Sequence, residues 1–105
     1  MKSKPPTLPN SVGKRRKIIN IRGEVRYFRI EDQISHLESG SSDKVICFQK
    51  VRWEHNGRVQ FRFGYYMLGV KSGAKGRWVW GQYALFIPKR DLKALIRKAE
   101  KRGWI

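Results

Sequence analysis

The 105-residue chain has a single cysteine, Cys47, so no internal disulfide can form and cysteine usage gives no sign of an oxidising compartment. Acids are scarce: 8 Asp and Glu stand against 24 Lys and Arg, a formal net charge of +16. No apolar run approaches the roughly 20 residues that cross a bilayer. The basic N-terminus leads into Pro5, Pro6 and Pro9 rather than into the apolar core of a secretory signal. These shortages give the expectation of an intracellular protein, cytoplasmic or nucleoid, with no membrane partner; KRRK (14–17) leaves a nuclear address open. No second cysteine completes a zinc spacing with His36 or His55. GxxxxGK[ST] is missing, and Gly73 and Gly76 do not precede a helix. No cofactor or metal is expected.

What is present fits one folded domain. Hydrophobic residues make up 40% and aromatics 12%, enough for a modest core. So large an excess of positive charge opposes folding through self-repulsion, and a polyanionic partner offsets it. Nucleic acid is therefore the leading partner.

Residues 1–17, MKSKPPTLPNSVGKRRK, contain no acid and little to bury, which predicts a flexible basic arm ahead of a single domain over 18–105. IINIRGEVRYFRI (18–30) is β-branched and aromatic, one or two strands broken at Gly23. EDQISHLESGSSD (31–43) holds half of the acids and reads as a loop, with Ile34 and Leu37 spaced for one helical turn. VICFQKVRWE (45–54) and VQFRFGYYMLGV (59–70) read as strands joined through Asn56-Gly57, the pair a type I′ turn prefers. A two-residue loop there sets Arg52 opposite Phe61, Lys50 opposite Phe63 and Phe48 opposite Tyr65. After a loop over 71–76, residues 77–87 read as a further strand. Val79, Gly81, Tyr83, Leu85 and Ile87 form its more continuous apolar side, which sends Trp78 and Trp80 to the other. Pro88 then opens a helix whose Leu92, Leu95, Ile96 and Ala99 make one stripe, with Asp91 in its first turn and Gly103 placed to end it. The expected fold is α+β: a twisted antiparallel sheet of four to five strands, with one C-terminal helix on one face.

Basic groups interleaved with aromatics point to nucleic acid. Lysine and arginine hold phosphates and aromatic rings stack on bases, which a duplex hides but a single strand presents. The candidate contacts are Lys14, Arg15, Arg16 and Lys17 of the arm, Lys50, Arg52, Arg58 and Arg62 of the hairpin, and Lys75, Arg77, Trp78 and Trp80 around the last loop. The competing role for each aromatic is core packing. No catalytic set stands out. Cys47, in an apolar strand, reads as a small core residue, and His55 as a polar turn residue.

The hairpin WEHNGRVQFRF (53–63), the glycine-bearing basic loop KSGAKGRWV (71–79) and the helix DLKALIRKA (91–99) resemble, in order and layout, the positive-cofactor-four transcriptional coactivators and their bacterial relatives. The resemblance covers residues 45–100; WVWGQYALFIP is longer and more aromatic than that family's last strand. It implies non-catalytic binding of single-stranded DNA or RNA on an open sheet face, and a homodimer formed through helix and sheet. It would place Lys50, Arg52, Arg58 and Arg62 on the binding hairpin, and Lys75 and Arg77 in the binding loop. Two alternatives stand beside it. One is a small basic ribonuclease or toxin with His55 as the acid–base group. The other is a structural protein-interaction module in a ribonucleoprotein or viral setting.

Overall fold

Five strands and one helix follow one another along the chain: β1 (Arg15–Ile19), β2 (Val25–Leu37), β3 (Lys44–Trp53), β4 (Val59–Leu68), β5 (Trp78–Trp80) and α1 (Lys89–Lys101). They come from a computed structural model that describes residues 8–69, 76–81 and 84–105. All five strands join one antiparallel sheet in the order β1-β2-β3-β4-β5, an uninterrupted meander that needs only short connections. The α+β class and its single C-terminal helix are as the sequence predicts. Among the described residues no helix is long and apolar enough to cross a membrane.

The helix packs on one side of the sheet. Leu95 and Ala99 meet Ile34, Ile46 and Phe48, flanked by Leu85, Ile87, Ile96 and Trp104. Each fully buried aliphatic or aromatic side chain here contributes about 1.5–3 kcal/mol. The opposite side carries two smaller clusters, Phe28, Ile30 and Val51 with Trp53, and Val45, Cys47 and Tyr66 with Trp78 and Trp80. The helix ends as predicted. Gly103 sits at φ 74°, the Gly103 N–H donates to the Glu100 carbonyl at 3.0 Å, and the Trp104 N–H to the Ala99 carbonyl at 2.9 Å. At its start Asp91, 1% exposed, is not merely a dipole partner. It accepts the Ser39 N–H at 2.9 Å and the Ser39 hydroxyl at 2.5 Å, and stands 3.0 Å from His36 Nε2. Those bonds from Ser39, then His36, hold its carboxyl down at about 2 and latch the β2–β3 turn to the helix. Lys98 Nζ lies 3.5 Å from His36 Nδ1.

Four expectations are corrected. The basic arm does not run free to residue 17. Ser11 is 2% exposed with its hydroxyl 2.9 Å from the Tyr66 hydroxyl, and Arg15, Arg16 and Lys17 are in β1. As an edge strand β1 has one neighbour, so it can be built from exposed charged residues that look like linker in sequence. The acidic stretch 31–37 is not a loop but the second half of β2. A bulge between Ile30 and Asp32 inserts Glu31, sending Phe28 and Ile30 to one side and Ile34 to the other. That extra residue breaks the period-two pattern by which the strand would have been recognised.

The β3–β4 register is shifted by two: Arg52 pairs with Val59, Lys50 with Phe61 and Phe48 with Phe63. Gly57 alone has positive φ, at 71°, and the loop closes as a four-residue turn, with the Gly57 N–H donating to the Trp53 carbonyl at 2.9 Å. Asn56 instead turns its side-chain oxygen to the Arg58 N–H, 2.9 Å away. An even shift keeps every side chain on its predicted side. Finally, the last strand stops at Trp80. Gly81 crosses the Tyr65 ring so closely that no side chain would fit, and residues 84–88 continue without strand pairing. Leu85 and Ile87 still reach the helix core, Val79 is 43% exposed, and Tyr83 lies outside the described residues.

Candidate nucleic-acid interface

The side of the sheet away from the helix is concave. Four strand spacings of about 4.8 Å would set the edges of a flat sheet roughly 19 Å apart. Yet Arg16 and Ile18 of β1, Phe28 of β2, Gln49 of β3, Arg62 and Tyr66 of β4 and Trp80 of β5 all line one cavity of about 330 Å³. The Ser11–Tyr66 hydroxyl contact straps the segment before β1 onto β4 and holds this curl.

Arg62 is the centre of the cavity. Its guanidinium lies 4.8 Å from the ring centroids of both Phe28 and Trp80. Its Nε donates to Gln49 Oε1 at 2.6 Å, Gln49 donates to Gln33 Oε1 at 2.6 Å, and Gln33 to the Ser35 hydroxyl at 3.0 Å. This relay across β4, β3 and β2 fixes the pose of Arg62 and leaves both Nη groups without a protein acceptor among the described residues. Neither is sealed off from solvent, since among the described residues no buried side-chain polar atom lacks a partner. Burial, then the charge of Arg16, pulls the Arg62 guanidinium below its usual pKa. Among the described residues no carboxylate lines the cavity. Arg16 and Arg62, with Lys17 at the rim, thus share a half-enclosed, aromatic space with no carboxylate among its described lining residues.

The predicted contacts are divided between the two sides. Arg16, Arg62, Trp78 and Trp80 share the concave side, with Lys17 at the cavity rim. Trp78 and Trp80 are half-buried and avoid the helix core, but they also pack on Val45, Cys47 and Tyr66. They are part of a core as well as a wall. The Trp80 ring covers Gly64, where a Cβ would strike it, and meets Tyr66 edge-on at 5.0 Å.

Lys50 and Arg52 face the helix side. Arg52 is spoken for by Glu31 at 2.7 Å and the Gly57 carbonyl at 2.8 Å. Lys50 lies in register with Asp32 and Phe61. Phe61 and Phe63 are partly exposed there, but Phe61 already stacks on Trp104 and Phe63 on Phe48. Arg15 pairs with Glu54 at 2.7 Å and lies 3.6 Å over Tyr27. Lys14 and Arg77 are exposed, and Lys75 lies outside the described residues. Arg58 is exposed in the β3–β4 turn, where it lines a second cleft of about 380 Å³ with His55, Glu24 and Arg26. Cys47 is fully buried and its thiol is pushed up to about 11 by burial.

Sequence reasoning missed Gln49, Tyr66, Phe28 and Ser11. Gln49 left one signal, a lone amide on the otherwise apolar side of β3 formed by Val45, Cys47, Val51 and Trp53, and a fully buried amide must be hydrogen-bonded. Ser11 left none, because its role depends on a curl that joins residues 55 apart. Comparison of the chain with protein-family models, with curated proteins and with solved structures gives no match in any of the three.

Proposed function

We propose that the protein is a non-catalytic nucleic-acid-binding module that holds a single strand of DNA or RNA along its concave sheet face. The observation that carries this reading is the carboxylate-free cavity in which Arg16 and Arg62 converge beside Trp80 and Tyr66. A phosphate satisfies the open Nη groups of Arg62, and a base has aromatic rings to lie against. A cavity of about 330 Å³ is at the small end for ligands, the scale of one nucleotide and far below that of a duplex. The net charge of +16 supplies the long-range attraction. The resemblance of the 53–63, 71–79 and 91–99 stretches to the positive-cofactor-four coactivators points the same way. The test is a titration with matched single-stranded DNA, single-stranded RNA and duplex DNA over a range of salt. Single strands should bind more tightly, with log affinity falling steeply against log salt. Equal binding of duplex and single strand, unchanged in Arg62→Met, would exclude the reading.

One observation favours a ribonuclease as the second reading. The β1–β2 and β3–β4 turns bring Glu24 and His55 into one cleft with Arg26 and Arg58, the groups that acid–base cleavage of RNA needs. Glu24 is already engaged by Asn20 at 3.1 Å and Arg26 at 2.7 Å. Cleavage of RNA by the parent that disappears in His55→Ala would establish this reading in place of the first.

A further inference from the structure

The outer surface of α1 carries Lys89, Lys93, Arg97 and Lys101, each four residues after the last and all exposed. Four-residue spacing on a helix defines a single ridge with a rise of about 6 Å per step, so the four cations extend over roughly 18 Å. That step is on the scale of one nucleotide along an extended strand. None of the four forms an ion pair or side-chain hydrogen bond among the described residues, where five acids pair elsewhere, Glu24 with Arg26, Glu31 with Arg52, Asp32 with Arg102, Glu38 with Lys44 and Glu54 with Arg15, and Asp43 accepts from the Ser41 hydroxyl. Asp91 is turned inward onto Ser39, which leaves Glu100 as the one exposed carboxylate of the helix. Like charges four residues apart oppose helix formation, and here three such steps follow one another.

The position of this ridge gives it a consequence. The inner face of α1 sits on Ile34, Ile46 and Phe48, whereas Arg62, Phe28 and Trp80 project from the other side of the same sheet. The cationic ridge and the cationic cavity therefore look away from each other, with the sheet between them. A strand seated in the cavity does not cover the ridge.

We propose that the α1 ridge holds the phosphodiester backbone of a second nucleic-acid segment, so that one protein molecule bridges two segments. The proposal rests on the cavity reading for the first of them. The ridge presents only charge and no aromatic ring, so it reads backbone rather than bases and takes either strandedness.

The test mixes donor-labelled and acceptor-labelled oligonucleotides of unrelated sequence with the full chain and follows energy transfer between them. Transfer should rise with protein and fall again at excess, when each segment has its own protein. The variant Lys89→Gln/Lys93→Gln/Arg97→Gln/Lys101→Gln should lose bridging while keeping single-strand binding within about threefold. In the parent, capture of the second segment should weaken with salt with a log–log slope of about −3, from four contacts at roughly 0.7–0.9 each. Glutamine is as good a helix former as lysine, and circular dichroism checks that α1 remains. Bridging that survives in the fourfold variant, or a parent that binds without bridging, would overturn the proposal. Anionic phosphatidylserine vesicles bound as tightly as DNA, with the same dependence on the four cations, would overturn it by reassigning the ridge to a membrane surface. If Arg62→Met binds like the parent while the fourfold variant binds nothing, the cavity reading is the one that fails and the ridge is the sole site.

Discussion

Replacing Arg62 by methionine keeps a side chain of similar length between Phe28 and Trp80 and removes the charge. Two quantities should change. The first is stability. Gln49 Oε1, in a residue that is fully buried, loses its donor, which costs about 1–3 kcal/mol. Two cation–ring contacts are lost at about 0.5–1 kcal/mol each. Relief of a half-buried cation beside Arg16 offsets part of both. A net loss of about 2 kcal/mol lowers the melting temperature by roughly 8–16 °C in a domain of this size.

The second quantity is the salt dependence of binding. Losing one phosphate contact on a single strand makes the slope of log affinity against log salt shallower by about 0.7. Over a fourfold rise in salt the variant should therefore lose about 2.6-fold less affinity than the parent. Arg16→Gln is the control, because Arg16 is exposed and donates only a long bond to the Arg15 carbonyl at 3.5 Å. It should shift the slope by the same amount and leave the melting temperature unchanged. Fluorescence titration with a short oligonucleotide at several salt concentrations, run below the variant's melting transition, reads the slope. Unchanged slopes in both variants would refute a phosphate in the cavity.

Trp80→Ala should lower stability by about 2–3 kcal/mol, less than a fully buried tryptophan because the ring is half-exposed, and urea denaturation measures it; unaltered stability would mean the ring is a platform and not a wall. Gly103→Val forces a branched side chain to φ 74° and should cost at least about 1 kcal/mol in the same assay, with no effect on binding if the helix remains. The Asp91 carboxyl is lowered from its ordinary 3.8 to about 2, so its contribution is complete above pH 3.8 and is lost as pH falls towards 2. Acid titration of Asp91→Asn followed by circular dichroism should show a weaker pH dependence across that window than the parent, and identical curves would count against the latch. Ser11→Ala leaves the Tyr66 hydroxyl without its partner and should cost about 1 kcal/mol by thermal melting, whereas a free arm would give no change.

The extent and the end of the helix were legible in sequence, although Leu92 of its stripe is 39% exposed and the buried latch at Asp91 was not foreseen. Its stripe of Leu92, Leu95, Ile96 and Ala99, its acidic start and the glycine beyond its end are local signals, and local backbone energetics decide helix ends. The grouping of side chains by side was legible for β3 and β4, though not which side meets the helix, because a period of two survives even a register error, and in β5 the same alternation placed Trp78 and Trp80 opposite the helix. Sequence could not show what then happens on that side. Only the tertiary structure decided that the sheet curls, that Ser11 straps β1 to β4, and that Arg16 and Arg62 meet across two intervening strands. The same curl makes Trp80 both core and cavity wall, a dual state that alternation alone divides into inside or outside. The bulge at Glu31 was hidden for a related reason: one inserted residue satisfies no local rule and pays off only when two different layers are packed on its two sides. Pairing energies of neighbouring residues are written in the sequence, while curvature is set by contacts between residues tens of positions apart, and it is curvature that turns scattered arginines into one cavity.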